Sequence, residues 1–440
     1  MNAKTFYIET HGCQMNFYDS AFVAEVLASA GYRRSADPSG AAVILINTCS
    51  VRERAERKAL SRAYELGAGR KADPDKVIGI IGCMAQRLGG NLLEPAGRID
   101  LVAGPDTYAR LPALLETLAA GREPVVDTTR EPKCMYGLRP VEHESVTAFV
   151  TIMRGCNNFC SYCIVPYVRG PERSKPHRDI LDEVKHLVDL GVKEVTLIGQ
   201  NVNSYNDGDL DFSDLLESVN DVPGLSRIRF TTSHPKDLTH QVIEMVASLP
   251  KVCEHIHLPL QSGSDRMLDL MNRGYTARDY LDLAGFARNT IPGLALSTDI
   301  LVGFPSERPE DHKATLKVME EVGFESSFMF RYSVREGTAA AQLPDDVADE
   351  QKTGRLGEVL ALQNDLTDSK KRSMQGETSE ILIERESSRE PGFMIGRTRK
   401  NWLAKLPRKG VRRGEVVAAR ITGVSRWMIS CERAEKQTGA

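Results

Sequence analysis

The stretch RGCNNFCSYCIVPYVRG, Arg154 to Gly170, comes directly after the strand-like run Thr147 to Met153. Its Cys156, Cys160 and Cys163 form a Cys-x-x-x-Cys-x-x-Cys loop, and three thiols within eight residues are too close to be scattered core cysteines. Three thiolates on one tight loop can hold three of the four irons of a cubane and leave the fourth open to a small ligand. A structural zinc site wants four protein ligands in closed geometry. An iron–sulfur site is therefore the first reading, zinc or another metal the second, and accidental clustering the last.

Downstream of this loop, strand-like runs recur at Glu194 to Ile198, Ile228 to Thr232, Ile256 to Pro259, Ala295 to Val302 and Ser327 to Tyr332. The intervals between starts are 47, 34, 28, 39 and 32 residues, each long enough for a right-handed strand–helix–strand crossover. Six β/α units fall short of the eight in a closed barrel. The expectation is a partial (β/α)6 barrel, open on one side, over 147–372.

Upstream, Thr5 to Glu9, Ala42 to Asn47, Val77 to Ile81 and Leu101 to Ala103 read as buried strands. Helical patterns such as Tyr18 to Ala30 and Glu53 to Glu65 lie between them. That alternation predicts an open parallel sheet flanked by helices over 1–125, joined to the barrel by a polar linker over 126–146. Cys13, Cys49 and Cys83 are spaced 36 and 34 residues apart and each follows one of these strands. Strand ends of a parallel sheet share one edge, where open α/β folds bind ligands. The three thiols are thus candidates for a second cluster, against the alternative that cysteine is simply a common small buried residue.

Toward the end, Thr378 to Glu384, Phe393 to Thr398, Asn401 to Leu406, Val416 to Val424 and Ser425 to Glu432 look like the strands of a small five-stranded β-barrel, OB-like, over 373–436. Between Arg389 and Arg433 twelve basic residues face three acidic ones, a charge of +9. The whole chain carries −3, so the rest carries −12. The net charge conceals a local basic surface suited to RNA.

At 440 residues, 41% hydrophobic and 27% charged, the chain has the composition of an ordinary soluble globular protein large enough for several domains. No apolar run approaches the ~20 residues of a membrane span. The segment Met1 to Thr10 lacks the features of an export signal, and the nine cysteines are odd in number. Reduced thiols in the cytoplasm are the expectation.

The words around the cysteines carry a resemblance. THGCQMN (Thr10 to Asn16), NTCSVRERAERKA (Asn47 to Ala59), GCMAQR (Gly82 to Arg87) and RGCNNFCSYCIVPYVRG resemble the methylthiotransferase family of the radical S-adenosylmethionine superfamily, and within it the MiaB-type tRNA branch. The resemblance covers nearly the whole chain, with a methylthiotransferase N-terminal domain, a radical core and a C-terminal TRAM domain. It implies a transferase that adds a methylthio group to C-2 of N(6)-isopentenyladenosine at position 37 of tRNA, next to the anticodon. One S-adenosylmethionine would donate the methyl group and another would yield the 5′-deoxyadenosyl radical.

Two 4Fe–4S clusters follow from it, a radical cluster on Cys156, Cys160 and Cys163 and an auxiliary cluster on Cys13, Cys49 and Cys83. Tyr162 matches the aromatic position near the cofactor adenine. Gly199, Gln200 and Asn201 stand where the superfamily often has a Gly-Gly-Glu-like stretch contacting the methionine amine, though the Glu is absent here. Gln261, Ser262 and Gly303 end later strands and face the same mouth by barrel geometry. No acid–base side chain is assigned as catalytic. The implied partners are the anticodon stem-loop carrying N(6)-isopentenyladenosine and an electron donor such as a flavodoxin or ferredoxin, for a monomer with no membrane contact.

Gln14-Met15-Asn16 and Ser50-Val51-Arg52-Glu53 favour the isopentenyladenosine reading over relatives acting on ribosomal protein or on threonylcarbamoyl-adenosine, while a ribosomal-protein methylthiotransferase and a non-catalytic iron–sulfur RNA-binding or sensor protein stay open as alternatives. Two positions depart from the family pattern, Pro171 in place of a basic residue and Ser306-Glu307-Arg308 in place of Gly-Glu-Thr. Arg52, Arg54, Arg57 and Lys58 are candidates for RNA contact or for a solvated helix face. Cys134, Cys253 and Cys431 read as core or surface cysteines, and His234, His255 and His257 as strand histidines without a ligand role.

Overall fold

The computed structural model describes residues 4–50, 53–68, 75–93, 99–121, 123–131 and 145–434. Most of the expected linker, with Cys134, lies outside these residues, as does Arg52; the side chain of Arg54 is likewise not described.

The first unit alternates β1 (Thr5–His11), α1 (Gln14–Ser29), β2 (Arg33–Arg34), β3 (Val43–Thr48), α2 (Glu53–Ala68), β4 (Val77–Gly82), α3 (Cys83–Leu88), β5 (Leu101–Ala103), α4 (Leu111–Gly121) and β6 (Val125–Asp127). All six strands are parallel, in the order β2-β1-β3-β4-β5-β6. Successive side chains alternate faces. Val43 and Leu45 pack with Phe22 and Leu27 of α1 and Leu115 of α4, while Ile46 and Ile80 pack with Ala59 and Ala63 of α2 and Met84 of α3. Both faces are therefore covered by helices, as the parallel sheet requires. The short strands β2 and β6 were not expected from the sequence.

The second unit runs through β7 (Thr147–Thr151), β8 (Met153–Arg154), α5 (Val165–Arg169), β9 (Arg173–Ser174), α6 (His177–Asp189), β10 (Glu194–Ile198), the hairpin β11 (Asn206–Asp207) and β12 (Leu210–Asp211), α7 (Phe212–Asn220), β13 (Arg227–Phe230) and α8 (His240–Ser248). It continues with β14 (His255–His257), α9 (Asp265–Leu270), α10 (Ala277–Thr290), β15 (Ala295–Val302), α11 (Pro309–Val322) and β16 (Ser326–Arg331). Parallel strands pair as β7-β10-β13 and β14-β15-β16, and the bridge Ile228–Val252 joins the two sheets. The six strands form the expected open partial barrel around a core from Ala148 to Val359.

The helix α12 (Asp349–Ser373) leads to a closed barrel of β17 (Thr378–Glu386), β18 (Phe393–Thr398), β19 (Leu403–Pro407), β20 (Val416–Val424) and β21 (Ile429–Arg433), in the order β17-β18-β19-β21-β20. Closure removes the exposed strand edges. Two arginines of β13 dock this barrel on the core. Fully buried Arg227 donates to Glu380 at 2.9 Å and to the Arg397 carbonyl at 2.6 Å. Arg229 donates to the Thr398 and Arg399 carbonyls at 2.7 and 2.8 Å, and Arg399 answers by pairing with Glu254 at 2.8 Å.

Candidate functional site

In the first unit the strand order reverses between β1 and β3, the switch point where a crevice opens beside the strand ends. The register sets His11 opposite Thr48 and Thr48 opposite Gly82, so three strands end in one row. Cys13, Cys49 and Cys83 follow these ends within two residues. With neighbouring strands ~4.8 Å apart, the row spans roughly 10 Å. The Cys49 amide donates to the His11 carbonyl at 3.0 Å, which fixes the middle turn. A Cβ on Gly12 would lie 2.8 Å from that of Cys49, so glycine is needed for the first two turns to approach. A hydrogen bond between the Cys13 and Cys49 thiols, with help from the Arg169 charge, holds the Cys13 pKa down at about 6. Burial pushes the Cys83 thiol up instead.

The second trio lies on the loop after β8. Gly155 has φ +81°, and a Cβ there would fall 1.9 Å from the Pro171 carbonyl oxygen, so the loop turns only at glycine. Pro171, where a basic side chain was expected, instead packs its backbone against this turn. Asn272 donates to the carbonyls of Asn158 and Phe159 at 3.3 and 3.0 Å. Burial raises Cys156 to about 11 and Cys163 to about 12.

One turn of helix joins the trios. Ile164, just before α5, and Val168 within it pack on Cys83. Arg169 closes the helix and donates through Nε to the Cys83 sulfur at 3.1 Å. The same guanidinium pairs at 2.7 Å with Asp19 of α1, which also pairs with Arg154 at 3.0 Å. All three groups are buried, so the charge cluster is a joint between the first unit and the core rather than a surface contact.

The remaining candidates divide. Gln200 accepts from the Gly155 amide at 2.7 Å, and Asn201 donates to Asp237 at 2.7 Å; both stand at the loop. Gly199 lies against Met153, with no room for a Cβ. Tyr162 receives Arg273 at 3.4 Å and meets Phe304 edge to face. Gln261 bridges to Ile300 with φ +68°, in the same mouth. Ser262 is fully buried on Thr315 and Ser264, and the Gly303 amide is taken by Glu307 at 2.6 Å. The departing Ser306-Glu307-Arg308 segment thus closes its own turn, with Glu307 also paired to Arg355.

Sequence reasoning missed Arg273, which donates to the Cys160 sulfur at 3.3 Å and the Pro259 carbonyl at 3.0 Å. It also gave His234 no role, yet this side chain lies past the end of β13 with Nε2 at 3.9 Å from the Cys160 sulfur. Burial lowers its pKa to about 3, so it is neutral. His255 and His257 do sit on β14 and share the Ser297 hydroxyl. Cys253 and Cys431 are buried, and Arg57 and Lys58 are exposed on α2.

Each trio offers three cysteine sulfurs, the ligands that iron–sulfur cubanes take, one on each of three irons.

Comparison with known proteins agrees with this layout. Residues 5–104 match the Uncharacterized protein family UPF0004, residues 150–319 the radical SAM superfamily and residues 372–428 the TRAM domain. The tRNA-2-methylthio-N(6)-dimethylallyladenosine synthase of Chlorobium limicola is 45% identical, over 99% of each chain. Its namesake in Chloroherpeton thalassium is 44% identical over 94% of this chain and 93% of the relative. Among solved structures, the radical S-adenosylmethionine methyltransferase TsrM of Kitasatospora setae, with cobalamin and a 4Fe–4S cluster bound, superposes with a TM-score of 0.58 at 13% identity, over 78% of this chain and 77% of that one. That likeness shows the shared fold. By its full-length relatives, the chain belongs to the tRNA-2-methylthio-N(6)-dimethylallyladenosine synthase family of radical S-adenosylmethionine proteins.

Proposed function

We propose that this chain adds a methylthio group to C-2 of N(6)-isopentenyladenosine at position 37 of tRNA. In this reading Cys156, Cys160 and Cys163 hold the 4Fe–4S cluster that binds S-adenosylmethionine, and Cys13, Cys49 and Cys83 hold an auxiliary one. The observation that carries it is the junction at α5, which begins two residues after Cys163 and ends at Arg169, whose Nε donates to the Cys83 sulfur at 3.1 Å. When bound, the clusters and S-adenosylmethionine supply the radical and the sulfur-borne methyl group, chemistry that no side chain offers at an unactivated aromatic carbon.

The protein's own residues position and shield. Buried Arg273 steadies Cys160 and Tyr162 together, and Gln200 holds the Gly155 turn. Asn201, anchored on Asp237, is set to meet the methionine end of the cofactor. The target adenosine must leave its stack to enter between the trios. The basic barrel follows the RNA backbone, although five of its twelve cations, Arg397, Arg399, Lys405, Arg408 and Arg433, already pair with carboxylates. A monomer in the cytoplasm, reduced by a flavodoxin- or ferredoxin-type donor, completes the reading. No described helix is long and apolar enough to cross a membrane.

Nucleoside analysis of tRNA from a deletion strain tests this. The methylthio nucleoside is expected to vanish while N(6)-isopentenyladenosine accumulates. Its persistence, with no paralogue present, contradicts the assignment.

A further inference from the structure

Three aromatic rings stand open to solvent beside the cysteines. Phe17, Phe159 and Tyr167 keep 53%, 51% and 41% of their surface exposed. Phe17 lies four residues after Cys13, Phe159 directly before Cys160, and Tyr167 four residues after Cys163. Among the described residues only two other aromatics, Phe328 and Trp427, are exposed to this degree.

Phe159 and Tyr167 form a pair, with ring centroids 6.2 Å apart at 81°. An edge-to-face contact of this kind fixes both side chains and leaves a ring face free. The pair is also held from behind. Phe159 has φ +46°, a region that bulky residues rarely occupy, and Asn272 clamps the carbonyls on both sides of the bond that leads into it. Backbone strain of this sort persists only where the surroundings enforce it, commonly at ligand clamps. Tyr167 is the exposed residue of α5, whose Val168 and Arg169 are buried toward Cys83. Exposed Arg130 donates to the Tyr167 carbonyl, which anchors a cation on the backbone of this residue.

We propose that Phe159 and Tyr167 form a stacking platform at the mouth of the site, on which an unpaired anticodon-loop base next to the modified adenosine rests. The proposal builds on the tRNA reading above. Drawing one adenosine out of a loop removes a stacking partner from its neighbours. A rigid aromatic face restores that contact for any base, and the nearby guanidinium meets the backbone phosphates. A protein side chain as substrate would leave these rings without a matching planar partner.

The test uses the full-length reconstituted protein and an anticodon stem-loop RNA carrying N(6)-isopentenyladenosine, with 2-aminopurine at the flanking loop position. Wild-type protein is expected to quench the 2-aminopurine on binding. Phe159→Ala and Tyr167→Ala should each bind about 10-fold more weakly and lose the quenching. Phe159→Tyr and Tyr167→Phe should keep both. Phe159→Leu retains apolar volume without a ring and should behave like the alanine variant, which separates stacking from a folding defect. Unchanged affinity and quenching in the alanine variants would overturn the platform, as would a defect confined to S-adenosylmethionine binding. Failure of the wild-type protein to bind the stem-loop at all would sink the tRNA reading instead, with the platform falling as its consequence.

Discussion

Cys156, Cys160 and Cys163 share one loop of eight residues, whereas Cys13, Cys49 and Cys83 arrive from three strand ends spaced 36 and 34 residues apart. Chain connectivity alone keeps the first trio together. The second exists only while β1, β3 and β4 stay in register. The thiols differ accordingly. Burial in the loop holds Cys156 and Cys163 protonated, at about 11 and 12, while Cys13, at an open crevice beside Cys49, ionises near 6. Exposure at the switch point is confined to Cys13, since Cys49 and Cys83 beside it are buried and burial raises Cys83 as it raises the loop thiols. Arg169 ties the two trios, through the sulfur of Cys83 and the carboxylate of Asp19.

Breaking one trio at a time gives the largest effects. Cys160→Ala should abolish both 5′-deoxyadenosine formation and methylthio product. Cys49→Ala should keep 5′-deoxyadenosine and lose only the product, as liquid chromatography with mass detection of both would read. Equal loss of both outputs in the two variants would mean that the sites are not separable.

Next in size is the joint. Asp19→Ala removes the buried carboxylate that Arg154 and Arg169 share, which should cost about 3–5 kcal/mol of stability in denaturant titration. A change under about 1 kcal/mol would mean that the joint contributes little, since that is the range of exposed pairs.

A change that spares both trios should weaken RNA binding modestly. Lys409, Arg412 and Arg413 are exposed on the barrel, so replacing all three with Ala should lower the slope of log K against log salt by roughly 2, with the gap to wild type widest at low salt. An unchanged slope would remove that face of the barrel from the interface.

The smallest effect sharpens the contrast between thiols. In metal-free protein, alkylation of Cys13 should rise through pH 6 and level off near neutrality, because its thiolate already predominates there. Alkylation of Cys156 and Cys163 should still be climbing above pH 10, because their folded pKa values lie above the ordinary thiol value. Peptide mapping after iodoacetamide treatment reads the order.

Legibility in the sequence follows the same division between local and assembled features. The six barrel strands and the cysteine loop were visible because buried runs and close spacing are local signals. The row of Cys13, Cys49 and Cys83 was also visible, since parallel strand ends share an edge whatever lies between them. Arg273 and His234 were not, because they reach Cys160 from 113 and 74 residues away and no short-range pattern marks them. The strand β2 is two exposed arginines, and only its backbone pairing with β1 makes it a strand. The charge of +9 overstated the free basic surface, because composition does not reveal that Arg399 is spent on Glu254. Likewise Gly303 directly follows β15, whereas Ser262 lies five residues past the end of β14, and neighbouring Glu307 and Thr315 already occupy their polar groups.

Iron and acid-labile sulfide counts on anaerobically reconstituted protein test the pairing of the trios most directly. About eight irons per chain are expected for the wild type and about four when either Cys13, Cys49 and Cys83 or Cys156, Cys160 and Cys163 are replaced together by Ala. A wild-type count near four, or the loss of all iron on removing just one trio, would contradict two separate cubanes in one site.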